Sequence, residues 1–236
     1  MPDQSKPERR SWLIPAAAVL VGIIAIVFVL VQAAGRDDGS SDDRADAATV
    51  KPQQSEWEYR DPDDPMAVGP VDAPLGMVVF TDFQCQYCAK WTHNTLPDLM
   101  SYVEAGKMRI EFRDMNIFGD ESEQAARAAY AAGLQGKLSE YQAALFADGR
   151  PRPKEQLSAE ALAALAAELK LDVPKFRTDY ASPAVVTAVR SRASDGVTAG
   201  TYSTPAFILG GQPILGAQPT EVFVEKIDGM LAAAGK

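Results

Sequence analysis

The chain has 236 residues, 47% of them apolar and 23% charged, enough for one globular domain with a real core plus an appendage. Its 32 acidic residues against 23 basic ones leave a formal charge of −9. That balance excludes a nucleic-acid partner, which needs a basic face to displace phosphate counterions.

The first informative element is Trp12 to Val31, WLIPAAAVLVGIIAIVFVLV, which carries no charge. At about 1.5 Å per residue it spans about 30 Å, the hydrocarbon thickness of a bilayer. Lys6, Arg9 and Arg10 precede it, and Asp37, Asp38, Asp42 and Asp43 follow it. This asymmetry predicts a cytoplasmic tail over 1–11, a membrane anchor over 12–32 and a chain that is extracytoplasmic from there on. A cleaved signal segment is the competing reading, because small residues lie around Val31-Gln32-Ala33. The apolar run is longer than the 7 to 15 residues or so of a signal peptide, and this favours the anchor. No cysteine stands here to carry a lipid.

Residues 33–61 are acidic and poor in large apolar side chains, the composition of a flexible linker. The folded domain is expected over 62–236, opening on an irregular lead-in rich in Pro and Asp. Met77 to Phe83, MVVFTDF, reads as a buried strand. From Gln84 to about Tyr102 the apolar spacing is helical, with Pro97 kinking the helix or ending its first section. Met108 to Phe112, MRIEF, alternates as a second strand does. Residues 120–193 read as a set of Ala- and Leu-rich amphipathic helices punctuated by Gly and Pro. Ala206–Leu209 and Pro213–Ile214 flank Gly210-Gly211 as a hairpin, and a last helix runs from about Gln218 to Ala233. The order predicts an α/β fold into which helices have been inserted.

Cys85 and Cys88 are the only cysteines in the chain, spaced C-x-x-C where the first strand gives way to a helix. An exported protein is free to use disulfides for stability, yet a bridge closing so short a loop removes little unfolded-state entropy. Reactivity explains the pair better. A helix N-terminus offers unpaired N–H groups and a partial positive charge that lower a thiol's pKa. Cys85, at the helix start with its sulfur expected to face solvent, is the attacking residue. Cys88, one turn on, is the resolving one. Asp82 is the nearest carboxylate, either a proton-transfer group or simply solvated at a strand end. The one histidine, His93, is too far round a helix from Cys88 to share a metal, so no metal site is expected. Phe80, Phe83, Trp91 and Phe112 are expected in the core, and Tyr87 exposed beside the cysteines.

The segment VDAPLGMVVFTDFQCQYC, with GTYSTPAFILGGQPILGAQP farther on, resembles the DsbA-like branch of the thioredoxin superfamily, in its membrane-anchored Gram-positive and actinobacterial form. The resemblance covers about residues 62–236. It implies a thioredoxin-like fold with an inserted helical subdomain and a cis-proline loop, Thr204-Pro205, packed against the redox-active Cys85–Cys88 disulfide as a substrate-binding element. It also implies no cofactor beyond that disulfide. Expected partners are unfolded exported proteins containing cysteines and a quinone-linked DsbB- or VKOR-like membrane protein that re-oxidises the pair. The sequence departs from the family pattern in three places. Gln86 stands where proline is common, Gln86-Tyr87 brings no positive charge, and Val79 occupies the position of a buried acid. The expected activity is disulfide formation in exported proteins. The alternatives are a reductase or isomerase of the same fold, or a binding or chaperone module without redox turnover.

Overall fold

The computed structural model describes residues 52–236, and the expected tail, anchor and most of the linker lie outside them. Among the described residues no helix is long and apolar enough to cross a membrane.

A five-stranded mixed sheet organises the domain, in the order β1-β3-β2-β4-β5. Its centre is β2, Leu75–Thr81, followed by helices α1, Gln86–Asn94, and α2, Leu96–Glu104. The strand starts two residues earlier than the apolar run suggests and stops at Thr81, leaving Asp82 and Phe83 to the turn. Pro97 falls in the first turn of α2, where its missing N–H costs nothing, so the predicted long helix is two helices meeting at Thr95. Strand β3, Met108–Asp114, lies parallel to β2 with Thr81 opposite Asp114. The short β1, Ala67–Val68, adds antiparallel to β3. The hairpin of β4, Ala206–Leu209, and β5, Gln212–Leu215, pairs antiparallel to β2 through β4. Gly210 and Gly211 both take positive φ in its turn, a conformation open to glycine at little cost.

One face of the sheet, carrying Leu75, Met77, Val79 and Phe207, packs on α1, α2 and the final helix α8, Thr220–Ala233. Trp91 from α1 lies 4.8 Å from the Phe207 ring and 5.9 Å from Phe223 of α8, a cluster that anchors the active-site helix to the sheet. The inserted subdomain comprises α3, Asp120–Gly133; α4, Leu138–Leu145; α5, Ala159–Glu168; α6, Val173–Ala181; and α7, Pro183–Thr198. Its hub is α3, whose alanines 125, 126, 128, 129, 131 and 132 are all buried and let neighbouring helices approach closely. Gly196 gives α7 the same freedom, since a Cβ there would run into Met115 and Phe80. Phe80, Phe83, Trp91 and Phe112 are buried as expected.

The alternation of β3 does not mean one wet face. All seven of its residues are buried, including Arg109, Glu111 and Arg113. Glu111 pairs with Arg109 at 2.9 Å and Arg113 at 2.7 Å, while Asp64 holds Arg192 of α7 at 2.6 Å. Pro52 to Asp61, which composition assigns to the linker, helps to complete this layer. The Tyr59 and Arg60 amides donate to Glu111 at 2.8 and 2.9 Å, and Arg113 stacks 3.8 Å over the Tyr59 ring. Composition misreads the stretch because its charges look solvent-bound until their buried partners are known.

Candidate active site

The turn between β2 and α1 is held from within. The Cys85 amide donates to the Asp82 carbonyl at 3.0 Å, and the Gln84 amide donates to the Asp82 carboxylate at 2.7 Å. This fixes Cys85 as the N-cap of α1, in extended backbone, with its sulfur accepting from the Cys88 amide at 3.4 Å. Both cysteines are free thiols.

Cys85 is held at about 6, well below the usual thiol value. The hydrogen bond from the Cys88 thiol is the main cause, with help from Thr204 and from the Cys88 and Tyr87 amides, against the opposing effect of burial. Backbone and neighbouring hydroxyl and thiol groups thus replace the positive charge that Gln86-Tyr87 does not bring. Cys88 moves far the other way, driven up by burial and by its neighbour's charge, while the Thr81 hydroxyl and Asp82 amide pull it back slightly. One thiol is poised to be a thiolate and the other to keep its proton.

The folded-state pKa of Cys85 is depressed, so its stabilising effect on the reduced protein is complete above the ordinary thiol pKa. That effect is lost as pH falls through about 6. Alkylation of the reduced protein is therefore expected to rise with pH to a midpoint near 6, with about ten thiolates per thiol at pH 7. Mass spectrometry should find the label on Cys85 and none on Cys88. An inflection near the ordinary thiol value of about 8.5 would contradict the geometry.

Opposite the cysteines, the Thr204-Pro205 peptide is cis. The Cys85 thiol donates to the Thr204 carbonyl at 3.3 Å. The Thr204 hydroxyl is buried and has no other partner, so it is available to donate to the sulfur once the proton has left. Cys85 is only 4% exposed, which corrects the expectation of a solvent-facing sulfur. Access is through a groove of about 550 Å³ lined by Cys85, Tyr87, Ile117, Phe118, Tyr202 and Thr204. Tyr202 is 83% exposed and Tyr87 54%, with Ile117 and Phe118 also open, an apolar rim seldom left bare without a partner.

Asp82 is not solvated. It is fully buried and also accepts from Ser122 Oγ at 2.7 Å and the Phe118 amide at 3.4 Å, tying the cysteine turn to the groove loop and to α3. Val79 is buried and apolar, as its type requires, but a buried acid stands nearby on the next strand. Asp114 is 2% exposed and pushed up to about 7, by burial first and by the charge of Asp82 second. Sequence reading missed it because a carboxylate at the end of an alternating strand looks like a wet-face residue. His93 lies exposed on α1 and has no part in the site.

Residues 61–229 match the family model described as Thioredoxin. Among curated proteins, the chain is 34% identical over 149 residues to the Na(+)/H(+) antiporter NhaA of Herminiimonas arsenicoxydans, covering 63% of this chain and 23% of the antiporter. It is 29% identical over 121 residues to the probable disulfide bond formation protein D of Bacillus cereus, covering 49% of this chain and 56% of that protein. The chain thus spans under a quarter of the first relative and little more than half of the second. Among solved structures, oxidised BdbD from Bacillus subtilis superimposes with a TM-score of 0.66 at 18% identity, over 78% of this chain and 100% of that one. At that identity the likeness speaks for the fold alone.

Proposed function

Because the chain belongs to the thioredoxin family, we propose that it is a thiol–disulfide oxidoreductase whose cofactor is its own Cys85–Cys88 disulfide and whose task is to oxidise cysteines in exported proteins. One observation carries the reading: Cys85 caps α1 beside the Thr204 carbonyl, with its thiolate stabilised and Cys88 one turn behind it. A client thiolate attacks Cys85 Sγ, the Cys85–Cys88 bond breaks, and Cys88 leaves as a thiolate that takes up a proton. A second client thiolate then attacks the client sulfur of the mixed disulfide and expels Cys85. The client loses two electrons and the enzyme gains them, ending as a Cys85 thiolate with a Cys88 thiol. Leaving groups of low pKa depart faster, and a stabilised reduced form makes its disulfide oxidising. Both favour the oxidase over a reductase or isomerase.

The apolar groove beside Thr204 suits unfolded clients, whose extended backbone can pair with the loop while side chains settle among Tyr87, Phe118 and Tyr202. An anchor over 12–32 and a linker from 33 would hold the domain outside the membrane, close to a quinone-linked membrane protein that restores the disulfide. The relative named disulfide bond formation protein D supports thiol–disulfide chemistry in general. Mixing oxidised enzyme with a reduced, unfolded client in equal amounts tests the proposal. Two client thiols should disappear for each enzyme disulfide opened, and the absence of transfer would refute it.

A further inference from the structure

Thr81 and Asp114 are register partners at the C-terminal ends of the parallel strands β2 and β3, and Asp82 is the next residue along. Both carboxyl groups are buried, and two such groups so close cannot both be charged cheaply. Their surroundings divide the roles. Asp82 accepts from the Gln84 amide, the Phe118 amide and Ser122 Oγ, so both of its oxygens are held by donors. Asp114 keeps Oδ1 buried with no hydrogen-bond partner, a poor setting for a charge.

Two cations face Asp114: Arg113 from its own strand and Arg192 from α7. Each is already committed, Arg113 to Glu111 at 2.7 Å and Arg192 to Asp64 at 2.6 Å. Their pull toward ionisation is therefore smaller than the combined effect of burial and the Asp82 charge. Asp82 in turn touches everything that sets the cysteines. Its carboxylate holds the amide before Cys85, its carbonyl takes the Cys85 amide, its own amide faces the Cys88 sulfur, and its second oxygen reaches the groove loop at Phe118.

We propose that Asp114 is a positioning residue that stores the proton of a carboxyl pair with Asp82, so that reduction of the Cys85–Cys88 disulfide draws a proton onto Asp114. The inference rests on the oxidoreductase reading. Reduction leaves a negative sulfur at Cys85, and negative charge added near Asp82 raises the proton affinity of the neighbouring acid. The balance is a disulfide plus two electrons plus one proton giving the Cys85 thiolate and Cys88 thiol. Asp114 takes up a further fraction of a proton, which comes from solvent. By linkage, an ionised Asp114 disfavours the Cys85 thiolate by the same amount.

The test uses the full-length chain equilibrated with dithiothreitol at pH 6.5 to 8, read as protons taken up per electron pair. Asp114→Asn is expected to follow the two thiols alone, near one proton at pH 8 and somewhat more as pH falls toward the Cys85 value of about 6. The wild type is expected to take up more than the variant at each pH. In parallel, carboxyl NMR of the wild type should show Asp114 titrating near neutral pH, with a higher midpoint in the reduced protein than in the oxidised. If Asp114→Asn fails to fold, the wild-type titration alone decides. Equal proton uptake in wild type and variant, or the same Asp114 midpoint in both redox states, would overturn the proposal. Because the titration needs no client protein, it separates this failure from a failure of disulfide transfer.

Discussion

Cys85→Ser is expected to lose disulfide transfer completely, down to the uncatalysed background, while Cys88→Ser still attacks and then stalls. Only Cys85 lines the groove; Cys88 is 1% exposed and held protonated behind it. Given a client that already holds a disulfide, the Cys85 thiolate of Cys88→Ser attacks one client sulfur and releases the other as a thiolate. With no Cys88 thiol to displace the client, the covalent adduct should accumulate on non-reducing gels. Without Cys85 no adduct forms at all. A protein acting only as a client-binding module would keep its function in both variants, because the groove walls at Tyr87, Phe118 and Tyr202 are unchanged. Retention of activity in Cys85→Ser would therefore remove redox chemistry from the account.

The second large effect lies away from the sulfurs. Arg113→Met should destabilise the domain by about 3 to 5 kcal/mol, the cost of removing one partner from a buried ion pair. Arg113 is among the largest fully buried side chains. It contacts Glu111 at 2.7 Å and Asp64 at 3.7 Å and stacks on Tyr59. Its removal takes one of the two cations from each of two buried carboxylates, leaving Glu111 to Arg109 and Asp64 to Arg192, and loosens the segment that crosses β3. Against a typical domain stability of about 5 to 15 kcal/mol this is a large share. A fall in the urea midpoint with little change in slope is the expected observation. A loss of under about 1 kcal/mol would be typical of exposed pairs and would mean that the layer is not dry.

What the sequence conveyed and what it hid follow from the same physics. Apolar periodicity located β2, the Ala-rich helices and the hairpin because burial of carbon leaves a local pattern. The C-x-x-C pair and Thr204-Pro205 were legible because each sits in a distinctive stretch of sequence. Their meeting, 119 residues apart, came from resemblance rather than from periodicity. The buried charges were invisible for a different reason. Arg109, Glu111 and Arg113 look like surface residues one at a time, and only partners from other segments make their burial tolerable, while nothing local marks Asp114 as a buried acid. Asp82 misled in the same way: three donors from three separate segments hold it in the interior. The exposure of Cys85 was overestimated because nothing local indicates that Thr204 folds over the sulfur.

The central claim is that the fold stabilises the reduced pair through Cys85 and so makes the disulfide an oxidant. Equilibrating the domain with glutathione measures this directly as a reduction potential. The account predicts a value in the range of about −120 to −180 mV, where strong oxidants and isomerases lie. A value near about −270 mV, that of thioredoxin, would contradict it and make the delivery of electrons the function to explain.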